Sequence, residues 1–240
     1  MSVALVTGAS RGIGRAIALR LARDGFVVAV NYCDRHDAAE EVVPAIEEAG
    51  GHALAFPADA GDPSAVRELV HAVVDKLSGL DVLVNNAGAG EMRPLAEVTV
   101  DELRANLRVN LLGPFVAMQE AAKLMPSTGR IVNVSTSLTS MLLPGTVLGA
   151  PAKCALEALT TIAAKELGAL GITVNAVGPG TTDTDAFNVN PAHVREAMAA
   201  SSPFGRLGQP DETAGVVSFL VSSDCGWVSG PTLRVNGALV

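Results

Sequence analysis

The sequence predicts an α/β fold, a doubly wound parallel sheet of about seven strands with helices on both faces. Three observations carry this expectation. Strand-like and helix-like segments alternate along the whole chain. The strand segments are continuous apolar runs, the pattern of strands covered on both faces. The first run, Val3-Ala4-Leu5-Val6, enters a turn with three glycines, and a helical pattern starts there at once.

The elements follow in order. Residues 2–6 form strand one. Residues 15–24 form a helix with Ala16, Ile17, Leu19 and Ala22 inward, ended by Gly25. Strand two covers 26–30, a helix covers 37–49 up to Gly50-Gly51, and strand three covers 52–56. Asp62-Pro63 starts the next helix, proline being suited to its first position, and it runs to about Leu77. Strand four is 80–84. A long helix spans about 100–125, strand five 129–134, a helix 150–170 and strand six 172–176. A short helix at 191–200 precedes one at 210–222, whose first turn holds Asp211 and Glu212, and 232–235 is the last strand. Right-handed crossovers make such a series a doubly wound sheet. No repeat, low-complexity tract or linker divides it, so residues 1–240 read as one domain. The widest irregular region is 179–190. With the segment to about 200 it lies beyond a strand's C-terminal end, where substrate lids sit; a solvated surface loop accounts for it equally well.

Bulk properties narrow the function. Hydrophobic residues are 49% and charged residues 18% of the 240, which describes a folded core rather than a disordered chain. A net charge of −8 argues against a nucleic-acid or anionic-membrane surface. No apolar run reaches the roughly 18 residues of a membrane span. The first strand leaves no room for a leader peptide. Cys33, Cys154 and Cys225 are odd in number and lack C-x-x-C spacing, so neither a disulfide frame nor a metal site is expected. A reducing cytoplasm is the expected location.

The glycine turn carries the chemistry. Gly8 lets the chain leave the strand sharply, Gly12 lets backbone approach a phosphate, and Gly14 lets the helix pack close to the strand. The helix N-terminus offers N–H groups and a positive dipole end to a dinucleotide pyrophosphate. The spacing is G-x-x-x-G-x-G rather than the general G-x-G-x-x-G.

Together with further motifs, this turn makes the chain resemble the short-chain dehydrogenase/reductase family over essentially its whole length. Thr7-Gly8-Ala9-Ser10-Arg11-Gly12-Ile13-Gly14 matches the family's cofactor turn, and Asn85-Asn86-Ala87-Gly88 its N-N-A-G after strand four. Asn110 matches the asparagine of the long helix, a structural or proton-relay residue. Pro179-Gly180 with Thr184 matches P-G-x-x-x-T, and Arg206-Leu207-Gly208-Gln209-Pro210 and Arg234-Val235-Asn236-Gly237 resemble the C-terminal region. The resemblance implies a Rossmann-type fold and hydride transfer between a nicotinamide and a carbonyl or alcohol. It places Gly8, Ser10, Arg11, Gly12, Ile13 and Gly14 at the pyrophosphate and adenosine phosphate, and Asp59 with Ala60 at the adenine. Asn86, Ala87 and Gly88 would line the adenine-ribose side. Lys153 would reach the nicotinamide ribose, with Pro179, Gly180 and Thr184 framing the nicotinamide.

A carboxylate at the end of strand two would favour NAD(H), because it binds the ribose 2′-hydroxyl and repels a 2′-phosphate. Asn31 and Tyr32 stand there instead, and Arg11 can supply positive charge, so NADP(H) is expected over NAD(H). Asp34 and Arg35 follow closely, and an Asp34 that swings back would favour NAD(H).

One departure bears on mechanism. The family's acid/base is a tyrosine four residues before the lysine, and here that position is Gly149. Tyr32 is the only tyrosine and belongs to the adenosine end. The usual serine position holds Thr136, flanked by Ser135 and Ser137, whose side chains an extended segment would turn the other way. The candidate catalytic residues are therefore Asn110, Thr136 and Lys153. Asp183, Asp185 and His193 are conceivable acids, but solvated, capping or surface roles account for them better. Slow reduction without a tyrosine is possible, and so is a cofactor-binding protein that catalyses little, a sensor, scaffold or inactive subunit.

Met141, Leu142, Leu143 and Phe187 suggest a small hydrophobic carbonyl or alcohol substrate. The helices 100–125 and 150–170 show surplus apolar residues: Leu107, Leu111, Phe115 and Met118, then Leu156, Leu159 and Ile162. Members of the family commonly pair these helices, so a homodimer or homotetramer is expected.

Overall fold

A computed structural model describes residues 1–34 and 36–240. Arg35, placed by sequence near the adenosine end, lies outside the described residues. The chain forms β1 (Val3–Val6), α1 (Gly12–Arg23), β2 (Val27–Tyr32), α2 (His36–Glu48), β3 (His52–Pro57), α3 (Pro63–Leu77) and β4 (Val82–Asn85). Then come α4 (Val100–Leu107), α5 (Gly113–Leu124), β5 (Arg130–Val134), α6 (Leu138–Met141) and α7 (Gly149–Leu167). The last elements are β6 (Thr173–Pro179), α8 (Asp185–Asn188), α9 (Ala192–Ser201), α10 (Pro210–Val221) and β7 (Thr232–Val235).

The seven strands make one sheet in the order β3-β2-β1-β4-β5-β6-β7, with every pair parallel. The order reverses between β1 and β4, which opens a crevice at the C-terminal ends of the central strands. Side chains alternate across the sheet, so a fully apolar strand feeds two cores at once. From β1, Ala4 and Val6 join Ile17, Leu21, Ile46 and Leu220 on one face. Val3 and Leu5 join Val70, Val73, Met118 and Leu156 on the other. That is why the strands carry no polar alternation.

Local signals set most boundaries. The Asp62 carboxylate caps α3, accepting from the N–H groups of Ser64 at 2.8 Å and Ala65 at 3.1 Å, and Pro63 occupies the first turn. Thr99 and Glu102 form a reciprocal capping box on α4. The predicted long helix is broken into α4 and α5 by a π-helical turn over Arg108–Leu112, of the kind that recurs at functional sites. β6 runs to Pro179, three residues past the expected end. Pairing with β7 holds Gly178 and Pro179 in the sheet although neither favours a strand. α6 and α8 are single turns with no periodicity to announce them. The stretch 86–94, not 179–190, is the longest without helix or extended strand, because α8 occupies part of the latter. Among the described residues no helix is long and apolar enough to cross a membrane.

Candidate functional site

The site is built at the crevice, from the glycine turn upward. Gly8 has φ +61° and Gly12 φ +54°, the left-handed region in which a side chain is strained. At Gly14 the constraint is space: a Cβ would overlap the Gly8 carbonyl oxygen and the Asn86 amide. α1 starts with no side-chain cap from Arg11, unlike α3 and α4, and with no acid in its first turn, unlike α4. Its leading N–H groups and dipole end are left for an anion. A cradle that excludes Cβ atoms and ends in uncapped donors fits a pyrophosphate, and the residues present therefore fit a dinucleotide.

A cavity of about 480 Å³ opens over this turn. Gly8, Ser10, Arg11, Gly12, Ile13 and Gly14 line its floor. Asn31, Tyr32, Asp59 and Ala60 close the end expected to take the adenosine, and Asn86, Ala87 and Gly88 continue towards the catalytic end. Arg11 is exposed at the cavity. Asp34 lies at the same wall and accepts from the Cys33 thiol at 3.2 Å. Burial and that carboxylate push the Cys33 thiol up to about 11.

Several residues reach the cavity with their polar groups already committed. Asn31 is buried; its Oδ1 accepts from Gly8 N–H at 3.2 Å, and its Nδ2 donates to the carbonyls of Phe56 and Ala58, both at 3.1 Å. It fastens the turn to β3 rather than offering a side-chain contact. Asn86 does the same, donating to the carbonyls of Thr7 at 2.9 Å and Gly8 at 3.1 Å. Asp59 accepts from Gly61 N–H at 2.7 Å. Thr184 packs over Gly12, caps α8 by accepting from Phe187 N–H at 3.3 Å, and lines the same cavity as the glycine turn. Pro179 receives Ser137 N–H at 2.8 Å, and Gly180 lines a separate cavity of about 260 Å³ towards the C-terminus.

Beyond Gly88 the catalytic candidates gather at the ends of β4 and β5. Lys153 is buried, its Nζ donating to the Val134 carbonyl at 2.8 Å. Desolvation pulls its ammonium down to about 8. A Cβ on Gly88 would stand 2.8 Å from Asn110 Oδ1 and 3.4 Å from Lys153 Nζ, so these groups converge there. Asn110 Nδ2 donates to the Ala89 carbonyl at 2.7 Å and lies 3.0 Å from Asn106 Oδ1. Thr136 is half-buried while Ser135 and Ser137 are buried, which is the expected alternation. Gly149 opens α7; a Cβ there would find only Gly90 Cα, at 4.0 Å. A larger side chain therefore has room.

The alternative acids stand apart: Asp183 accepts from Asn188 Nδ2 at 2.8 Å, and Asp185 and His193 are exposed. Sequence reasoning missed Thr7, whose hydroxyl accepts from Asn86 and Ala87 N–H, each at 3.0 Å. It also missed Asn106, whose Nδ2 donates to the same Ala89 carbonyl at 2.9 Å. Two asparagines one turn apart in a helix, where asparagine is a poor former, were the available signal.

A family model described as enoyl-(acyl carrier protein) reductase matches residues 8–239. An uncharacterized oxidoreductase of Methylorubrum extorquens is 42% identical over 240 residues, 99% of this chain and 97% of that protein. The 3-oxoacyl-(acyl-carrier-protein) reductase FabG of Staphylococcus aureus (strain N315) is 39% identical over 238 residues, 98% of this chain and 97% of its own length. The crystal structure of a short chain dehydrogenase from Burkholderia cenocepacia in complex with NADP is 41% identical, with a TM-score of 0.95 over 99% of this chain and 97% of that one.

Proposed function

The chain belongs to the short-chain dehydrogenase/reductase family, and on that premise we propose that it is an NADP(H)-dependent oxidoreductase. It reduces an uncharged, apolar carbonyl compound, or oxidises the matching alcohol, by a proton path without a tyrosine. The observation that carries this is the continuity of the site: the cofactor cradle runs through Gly88 to Lys153 Nζ and Asn110 Oδ1.

Tyr32 rather than a carboxylate ends β2, and Arg11 stands at the cavity mouth; both favour the extra phosphate of NADP(H). The Burkholderia relative, crystallised with NADP, supports the same choice. When bound, the dinucleotide supplies or accepts the hydride. Thr136 Oγ1 orients the carbonyl oxygen. Lys153 holds the nicotinamide ribose and places positive charge near the developing alkoxide. Gly149 stands where the family's tyrosine would be; water held between Lys153 and Thr136 passes a proton to the developing alkoxide and is reprotonated by the Lys153 ammonium, which regains its proton from solvent. A placed general acid contributes about 100- to 10,000-fold in rate, so the reaction runs slowly but still gains from holding donor and carbonyl together. Leu142 and Leu143, both exposed, form the apolar wall against which substrate rests.

We further propose a homodimer or homotetramer through the outer faces of α5 and α7. Phe115 and Ile162 remain exposed there, whereas Met118 and Leu156 are consumed by the chain's own core. Gly149 also supports an alternative, a cofactor binder that turns over nothing. Fluorescence titration with NADPH and NADH, followed by ketones and quinones at the nicotinamide absorbance, separates the two. Preferential NADPH binding with oxidation on adding a carbonyl is expected. Binding without oxidation selects the alternative.

A further inference from the structure

Glu157 lies four residues past Lys153 on the same face of α7. Arg234 of β7 forks onto it, Nη1 to Oε1 at 2.9 Å and Nη2 to Oε2 at 3.1 Å. The register of β6 and β7 sets Arg234 beside Gly178. A Cβ on Gly178 would come within 2.6 Å of Arg234 Nη1 and 3.1 Å of its Cδ, so the glycine is what lets the guanidinium cross the strand.

From there Arg234 Nη1 also donates to the Thr136 carbonyl at 3.2 Å and to Thr139 Oγ1 at 2.9 Å. The Thr139 hydroxyl lies 2.8 Å from both the Thr136 carbonyl and Glu157 Oε1. Ser135 Oγ donates to Glu157 Oε1 at 2.5 Å. On the other side, Ser137 Oγ donates to the Gly178 carbonyl at 3.3 Å. Thr136 is thus held through its own carbonyl and through both neighbours, while its Oγ1 accepts only a long bond from Leu138 N–H at 3.3 Å. The side chains of Glu157 and Arg234 are 18% and 27% exposed, so little solvent loosens the fork. None of this is needed to close the sheet, whose β6–β7 pairing rests on backbone.

We propose that Glu157 and Arg234 are positioning residues for the reaction: the pair aims the Thr136 hydroxyl at the substrate carbonyl without touching substrate. This rests on the oxidoreductase reading above. Misplacing a reacting group by about 1 Å can cost about 100-fold in rate, which is the scale on which such a device acts.

A double-mutant cycle tests it. Arg234→Met and Thr136→Val are made singly and together in the full chain, and kcat, the NADPH Kd and Tm are measured. Arg234→Met is expected to lower kcat about 10- to 100-fold with Kd for NADPH within about twofold. In the Thr136→Val background it should cost nothing further in kcat, although Tm falls equally in both. Arg234→Lys, which keeps the charge and loses the fork, should fall between. If Arg234→Met does not fold, Glu157→Gln takes its place in the cycle. Equal losses of kcat in both backgrounds, or a lowered Tm with kcat unchanged, overturn the proposal and leave the oxidoreductase reading standing. NADPH binding with no turnover of any carbonyl by the unsubstituted chain overturns both.

Discussion

At one end of the cleft the glycine turn presents uncapped backbone N–H groups and absent Cβ atoms, with Arg11 exposed beside them; at the other end gather the side chains of Lys153, Thr136 and Asn110. The first end is over-determined. Asn31, Asn86 and Thr7 each spend their polar atoms holding the turn, so the cradle exists before anything binds. The second end has a well-fastened frame with one position, Gly149, where little surrounds the side-chain direction. Binding and chemistry can therefore be varied separately in this chain. A site made of backbone geometry tolerates little substitution, whereas one made of side chains can change at a single position and keep its shape.

The largest expected effect follows from adding a side chain at Gly149. Gly149→Tyr has room at its Cβ and places a phenol one helical turn from Lys153. Reductase kcat should rise about 100- to 10,000-fold in steady-state assays, with NADPH affinity little changed. No gain with a folded, NADPH-binding variant would show that the two ends differ in more than that one residue.

Lys153→Met should lower kcat about 100-fold, the cost of losing one aimed electrostatic group, while leaving the fold no less stable. Burial holds the folded ammonium at about 8, below its usual 10.5. Its protonation then opposes folding by on the order of 3 kcal/mol. That cost is complete below about pH 8 and fades as pH rises towards 10.5, where the unfolded lysine also loses its proton. Thermal melts of the two proteins at pH 7 and pH 10 should therefore favour the variant more at pH 7. In the unsubstituted chain, reduction should weaken as pH rises through about 8 and the ammonium is lost.

At the adenosine end, Gly14→Ala drives a methyl into the Gly8 carbonyl and the Asn86 amide. NADPH binding should weaken about 100-fold by fluorescence titration, since the turn must move before the pyrophosphate can seat. Arg11→Gln is the smallest change: the preference for NADPH over NADH should drop about tenfold, with NADH binding nearly unaffected.

Legibility followed the same division. Gly8, Gly12 and Gly14 were readable as a cradle because a turn between a buried strand and a helix needs those residues wherever it occurs. Lys153 and Thr136 were legible as a pair only through the family resemblance, and the turning of Ser135 and Ser137 away from Thr136 is seen beyond the end of β5, where Ser137 already has helical backbone. That the Thr184 segment folds back over Gly12 is a contact with no local signal. Glu157, Arg234 and Gly178 were invisible as a unit: they are far apart in the chain and meet only because β7 pairs in parallel with β6.

By itself the sequence determined the order of strands and helices, the two-faced burial of the sheet and the position of the glycine turn. These depend on hydrophobic period, glycine and capping residues, whose effects reach only a few positions along the chain. Only the tertiary structure decided that Asn31 and Asn86 clamp the turn, that the long helix widens at Asn110, and that Arg234 crosses over Gly178 to hold Thr136. Those outcomes depend on which strands lie side by side and on the register of their hydrogen bonds, and register is a property of the assembled sheet rather than of any one segment.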